Sequence, residues 1–424
     1  MERFGRLTLE CKGMADERDL PQIPEEPPEV PLGQVMGDVP LFREIQRVLL
    51  AGTGPVNWEL ARQVGIAMAS WGVEDPPPSP QDLARLTEAV RVAELAVADF
   101  TGMPSPSDIT RVETYRRAQW VEANIRDLRE ILDPIGATLG TMLASAQGGG
   151  ALGMPPDPAS MPGMEAVQGG ELIQALLGRM VPLLMGAQVG TVLGYLGQRV
   201  LGQYDLAVPR PRGPLYFVVP NITRFERDWS LAEVEFREWV AIHEVVHRFE
   251  FAGAWARPHF ISLVTDLVQN AELDLSGLER RLEDLDLSNP DALSQAFEGV
   301  GNLFGEATTT EQRLRVARVQ SFLAAAEGYG EHVVETLATR MLSSHARIDE
   351  ALLRFREGRP GDQAVERLLG LEMKPEIHAL ARGFCTKVVE LTGESTLARM
   401  WESPDAMPSM PELEEPQLWL ARSA

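Results

Sequence analysis

The sequence predicts a mainly α-helical protein with at most a small β-sheet. Three observations lead there. Apolar residues recur at helical spacing through most of the 424 residues. A single segment, Pro214 to Pro220 (PLYFVVP), stands out as strand: it is short, aromatic and β-branched between prolines. Residues 180–197 (MVPLLMGAQVGTVLGYLG) form an 18-residue run without a charge, which reads as a buried core helix.

Residues 1–40 form an extended, solvated lead-in, rich in Pro and Glu from residue 15 onward. A helical region follows over 41–145, with helices expected at 41–51, 57–71, 79–101 and 111–145. Asn57 and Asp108 are candidate caps, and the prolines from Pro76 to Pro80 act as a break. Residues 146–170 are rich in Gly, Pro and Met, with almost no charge, and read as a linker or lid. The stretch 171–402 reads as the catalytic region. It opens with the apolar helix 171–203, in which Gly186, Gly190 and Gly194 recur every four positions and allow another helix to approach closely. The strand 214–219 comes next, then helices near 230–252, 258–273, 290–300, 310–326, 328–356 and 374–395. The tail 403–424 is acidic, Pro-rich and expected to be irregular. The chain shows no internal repeat.

Net charge is −23, which argues against nucleic acid and anionic lipid as partners, since both are gripped by basic surfaces. Two cysteines, Cys11 and Cys385, exclude a Cys-rich metal module and a disulfide framework. Met1 to Met14 carry no apolar run of the secretory kind. The expectation is a cytoplasmic protein that does not engage a membrane; no oligomeric state is specified.

The chemistry is concentrated in His243-Glu244-Val245-Val246-His247, an HExxH motif within an apolar helix pattern. Residues four apart share a helix face, so His243 and His247 can hold one ion between two imidazoles. Glu244 can then reach a water on that ion and act as general base and acid. With only six histidines in the chain, a chance match is improbable, and ionisable residues on an apolar helix are costly unless employed. The ligand type points to Zn²⁺.

The third ligand is open. A histidine ten residues after His243 is ruled out, because that position is Gly253. Asp266 lies nineteen residues after His247 and is a shorter candidate. Glu327, in AAAEGYGEHVVE, is placed best on a later helix, with Glu331 four residues on to orient a ligand histidine. His332 is a poorer co-ligand, about 140° off the Glu327 face. Tyr329 and His332 are candidate oxyanion donors. His259, His345 and His378 read as packing or surface residues, and the strand 214–219 is a candidate edge for aligning a peptide.

Five segments together carry a resemblance: VNWELARQVG at 56–65, QVGTVLGYLGQRVLGQYDLAVP at 188–209, LYFVVPNI at 215–222, EWVAIHEVVHRFEFAGAWARPHF at 238–260 and AAEGYGEHVVE at 325–335. The chain resembles a bacterial family of zincin-like proteins described as hydrolases or zinc-dependent metalloproteases. Some members are associated by genome context with deazaflavin coenzyme biosynthesis. The resemblance implies a zincin-like multi-helix domain with zinc on His243 and His247 and Glu244 as the catalytic carboxylate. It supports Glu327 through its AAEG context, whereas Tyr329 stands where relatives often carry histidine. The expected substrate is a peptide or small amide. Three other readings are an inactive zincin-like scaffold, which would not need Glu244, a membrane-associated protease using helix 180–197, and a non-proteolytic small-molecule hydrolase.

Overall fold

The computed structural model describes residues 54–106, 110–148, 169–205, 208–270, 309–357 and 375–423, with side chains throughout except at 139–140, 142–148, 169–181, 356–357 and 375. The helices expected at 41–51 and 290–300, the cap Asp108 and most of the 146–170 linker lie outside these ranges.

Helix α1 is Trp58–Ala69, and Asn57 caps it by accepting a hydrogen bond from the Leu60 N–H at 3.0 Å. Helix α2, Pro80–Thr101, starts on a reciprocal capping box between Ser79 and Asp82 and stops at Gly102, whose φ of 69° suits a residue without a β-carbon. The helix expected from residue 111 does not begin there. Val112–Tyr115 is strand β1, and helix α3 runs Arg117–Gly148. Local pattern lost to tertiary pairing: β1 lies parallel to β2, Leu215–Val218, with Val112 opposite Leu215. Tyr115 also stacks on Tyr216, ring centroids 4.6 Å apart. On its other side, Phe217 of β2 bridges to Gly202. The strand is buried along its whole length, so it does not offer the free peptide-aligning edge that the sequence suggested.

Helix α4, Gly169–Gly197, is the expected apolar helix, and its glycine stripe seats α1. A β-carbon at Gly186 would fall 2.3 Å from the Asn57 carbonyl oxygen; at Gly190, 2.6 Å from that of Ala61; at Gly194, 2.4 Å from Met68 Cβ. Among the described residues no helix is long and apolar enough to cross a membrane.

Helices α5 (Val219–Asp228), α6 (Glu233–Glu250) and α7 (Ala256–Gln269) follow β2. Buried Arg237 on α6 is paired with Asp82 of α2 and Glu226 of α5, both at 2.8 Å, which fixes α6 against two neighbours. Helix α8, Thr310–Met341, is continuous where two helices were expected. Gly328 and Gly330 do not break it, because each is used for close contact: a β-carbon at Gly328 would sit 2.7 Å from Ala381 Cβ. Then come α9 (His345–Glu357), α10 (Pro375–Thr392) and α11 (Glu394–Ala398).

The tail is ordered rather than irregular. Short 3-10 turns at Arg399–Trp401 and Pro404–Ala406 lead to α12 (Met410–Glu414) and α13 (Pro416–Ser423). Fully buried Trp419 donates to the Ala406 carbonyl at 2.7 Å, and Arg422 pairs with Glu412 at 2.6 Å. Proline starts these short helices instead of preventing them.

Gly190→Val should destabilise the fold by about 2–3 kcal/mol, because the atom in the way is backbone and cannot swing aside. Gly383→Ala should stabilise it by about 0.5–1 kcal/mol, since that helical glycine has open space around it. Urea denaturation of the two variants beside the parent measures both.

Candidate metal centre

The motif residues occupy the C-terminal half of α6. Trp239 stacks on His243 with centroids 5.5 Å apart, and the two histidine rings meet edge to face at 4.8 Å. Phe251 stacks on the far side of His247 at 6.2 Å, and Tyr204 flanks it at 6.0 Å. The imidazoles are thus held in rotamers that bring both rings to one helix face.

His247 is buried, and its Nδ1 lies 2.8 Å from Glu250 Oε2. With Nδ1–H donating to that carboxylate, Nε2 is the nitrogen left to ligate, as in carboxylate–histidine–metal chains. Burial works against a charged imidazole, but Glu250, with Glu327 and Glu244 behind it, pushes His247 up to about 9. Burial pushes the Glu250 carboxyl up as well. Its second oxygen, Oε1, is buried and has no hydrogen-bond partner among the described residues. The carboxylate behind the histidine is therefore Glu250, three residues after it. The expected orienting residue, Glu331, instead lies 3.5 Å from Arg382.

Helix α8 crosses α6 at Gly330, where a β-carbon would lie 2.7 Å from His247 Cε1. Glu327 is one turn earlier on that face, and its charge bears on both His247 and Glu250. The structure thus brings Glu327 within electrostatic reach of His247 and Glu250. Tyr329 and His332 project from the other side of α8, rotated roughly 140–200° from Glu327. The Tyr329 hydroxyl donates to Met103 Sδ at 3.5 Å and its ring packs on Trp401. His332 Nε2 lies 3.0 Å from both carboxylate oxygens of Glu394. Neither is arranged as the oxyanion donor expected of it. Asp266 is half-buried and sits 3.4 Å from Arg315. His259 packs on Trp255 and Phe322.

Glu244 faces a strap, residues 201–205, that passes directly over it. Its Oε2 accepts the Gln203 and Tyr204 N–H groups, both at 2.8 Å, and its Oε1 is 3.4 Å from His243 Nδ1. A β-carbon on Gly202 would fall 2.4 Å from Glu244 Cδ, so only glycine fits. Asp205 staples the strap by accepting the Leu201 and Gly202 N–H groups, and Trp120 donates to the Gly202 carbonyl at 3.0 Å. Burial pushes the Glu244 carboxyl up to about 7, while the two backbone N–H groups and the charges of His247 and Arg210 pull against it. That value suits a group that must both take and give a proton near neutrality.

No three His, Cys, Asp or Glu side chains among the described residues converge as a finished metal cage. The donor chemistry nevertheless fits a divalent ion. Two neutral-capable imidazoles lie on one face, one is already tautomer-fixed by a buried carboxylate, and a further carboxylate approaches from α8. Glu250, Gly330 and the strap were missed in the sequence. An acid three residues after the second histidine, within an otherwise apolar run, was the available signal for Glu250.

Residues 56–420 match the family described as zincin-like metallopeptidase, and the chain belongs to that family. It is also similar to a solved structure from Chloroflexus aurantiacus described as a candidate hydrolase with a novel fold. The two share 29% identity and a TM-score of 0.59, over 87% of this chain and 98% of the other. No curated protein matches at a significant level.

Glu250→Gln should keep the fold but weaken zinc binding about 10- to 100-fold, the usual effect of losing a carboxylate behind a ligand histidine. Competition with a chromophoric chelator reads this out, and unchanged affinity would count against the orienting role.

Proposed function

We propose that this protein is a zinc-dependent hydrolase of peptide or amide bonds, with His243, His247 and Glu327 as metal ligands and Glu244 as general base and acid. The observation that carries the reading is the pair of edge-to-face imidazoles, 4.8 Å apart, beside a buried carboxylate. Membership of a metallopeptidase family supports it. When bound, zinc supplies Lewis acidity that polarises a carbonyl and acidifies water.

The chain's own groups do the rest. His247 is kept in one tautomer by Glu250, and His243 is kept in place by the Trp239 ring. Glu244 takes a proton from the attacking water and hands it to the leaving nitrogen as the C–N bond breaks, so acid and amine are released. The strap N–H groups hold its carboxylate in one orientation between the two events. Glu244 and His247 are 0% and 1% exposed, which favours a short peptide or small amide over a folded protein as substrate. Two cysteines in the whole chain are consistent with a reducing cytoplasm.

Metal content by plasma mass spectrometry tests the site. The expected result is near one zinc per chain in the parent and in Glu244→Gln, with loss in His247→Ala and in Glu327→Ala. A parent that retains no zinc after loading and removal of excess would overturn the hydrolase reading. With zinc bound, Glu244→Gln should lower peptide hydrolysis by at least about 1,000-fold.

A further inference from the structure

Arg210 is 5% exposed and has no role in the chemistry above. Its Nη1 lies 3.8 Å from Asp127, an ion pair too long for a hydrogen bond. Its Nε and Nη2 are buried and have no hydrogen-bond partner among the described residues. These two nitrogens form one edge of the guanidinium, and their N–H bonds run parallel at the spacing that grips a carboxylate with two prongs. A cation enclosed in this way is costly unless something completes it.

Two more buried polar atoms without partners lie in the same region. One is the hydroxyl of Tyr216 on β2, and the other is Oε1 of Gln203 in the strap. Gln203 already donates its backbone N–H to Glu244, and Phe217, next to Tyr216, bridges to Gly202 of the same strap. The Arg210 charge bears on Tyr204, Tyr216 and Glu244. Burial keeps Tyr216 a neutral phenol, so its hydroxyl is a donor. The Arg210 edge and the Tyr216 hydroxyl are three donors suited to an anion, and Gln203 Oε1 is an acceptor suited to an N–H.

We propose that Arg210 and Tyr216 bind the terminal carboxylate of a short peptide, while Gln203 Oε1 accepts the amide N–H of its last residue, making this a site for carboxyl ends of peptides. A peptide terminus offers both features within its last residue, a carboxylate and the amide N–H on the same α-carbon. The nitrogen facing Gln203 is the one to which Glu244 would return a proton. Cleavage at that bond rests on the hydrolase reading; binding does not.

The experiment uses the zinc-loaded full chain and two probes: a pool of N-acetylated tripeptide acids and the same pool as C-terminal amides. Binding is measured by calorimetry on Glu244→Gln, and cleavage by mass spectrometry on the parent. The acids should bind at least about 100-fold more tightly than the amides, as expected when a built polar site loses its matching group. The double variant Arg210→Met/Asp127→Asn removes the buried cation together with its half-buried partner, so no orphan charge is left to unfold it. It should bind acids and amides alike. Arg210→Lys, which keeps the charge but not the fork, should lose about tenfold of the preference, with melting curves confirming both folds. Equal binding of acids and amides, no binding of either pool, or a preference that survives the double variant would each overturn the proposal, the last showing that the carboxylate is held by a group other than Arg210. Selective binding without cleavage would leave the anchor standing and remove the hydrolase reading. Cleavage of both pools at equal rates would do the reverse.

Discussion

A carboxylate taken out of water has to be given hydrogen-bond donors by the protein, and around Glu244 that demand organises the neighbourhood. Two backbone N–H groups from Gln203 and Tyr204 answer it. They reach the carboxylate only because Gly202 has no side chain. The strap that presents them is held by Asp205, by the Trp120 indole and by the bridge to β2. Strand β2 in turn is fixed by β1, which interrupts what would otherwise have been helix. A two-stranded sheet in a helical protein thus has a definite job: it sets the distance between the strap and α6.

The opposite wall obeys the same logic with a different partner. Helix α8 approaches His247 at Gly330, close enough that any larger residue would displace the ring. That approach brings the charge of Glu327 to bear on His247, while Tyr329 and His332 lie on the other side of the helix. Glycine at three separate places, in the α4 stripe, the strap and α8, is what lets backbone take the position a side chain would otherwise fill. Each position trades conformational entropy for proximity, and the two at the site are where α6 meets its neighbours most closely.

The motif itself was legible because its spacing is local. Residues four apart on a helix share a face whatever the helix packs against, so the juxtaposition of His243 and His247, with Glu244 beside them, could be read from spacing alone. Glu327 was singled out more weakly, as an acid on a second helix, and its charge does bear on His247. Glu331 and Glu250 show the limit of that reading. Both are acids at plausible spacing from a candidate ligand, and only the packing of α8 on α6 decides that Glu250 touches the His247 ring while Glu331 faces Arg382. The continuity of α8 and the order of the tail were missed for a related reason. Glycine and proline weaken or stop a helix by their own propensity, but buried contacts at Gly328, Gly330 and Trp419 outweigh it.

The sequence by itself determined the helical class, the apolar helix with its close-packing stripe, the strand at 215–218 and the two histidines with their glutamate. All of these depend on periodicity or spacing over a few residues, which the chain carries wherever it goes. Only the tertiary structure decided that Glu250 orients His247, that Gly202 admits a strap onto Glu244, and that Arg210 lies buried within reach of the same carboxylate. Those relations join residues from 3 to more than 40 positions apart. Even the nearest of them depends on rotamer and burial, which no local pattern encodes, because the energy that sets them comes from the exclusion of water by the assembled core.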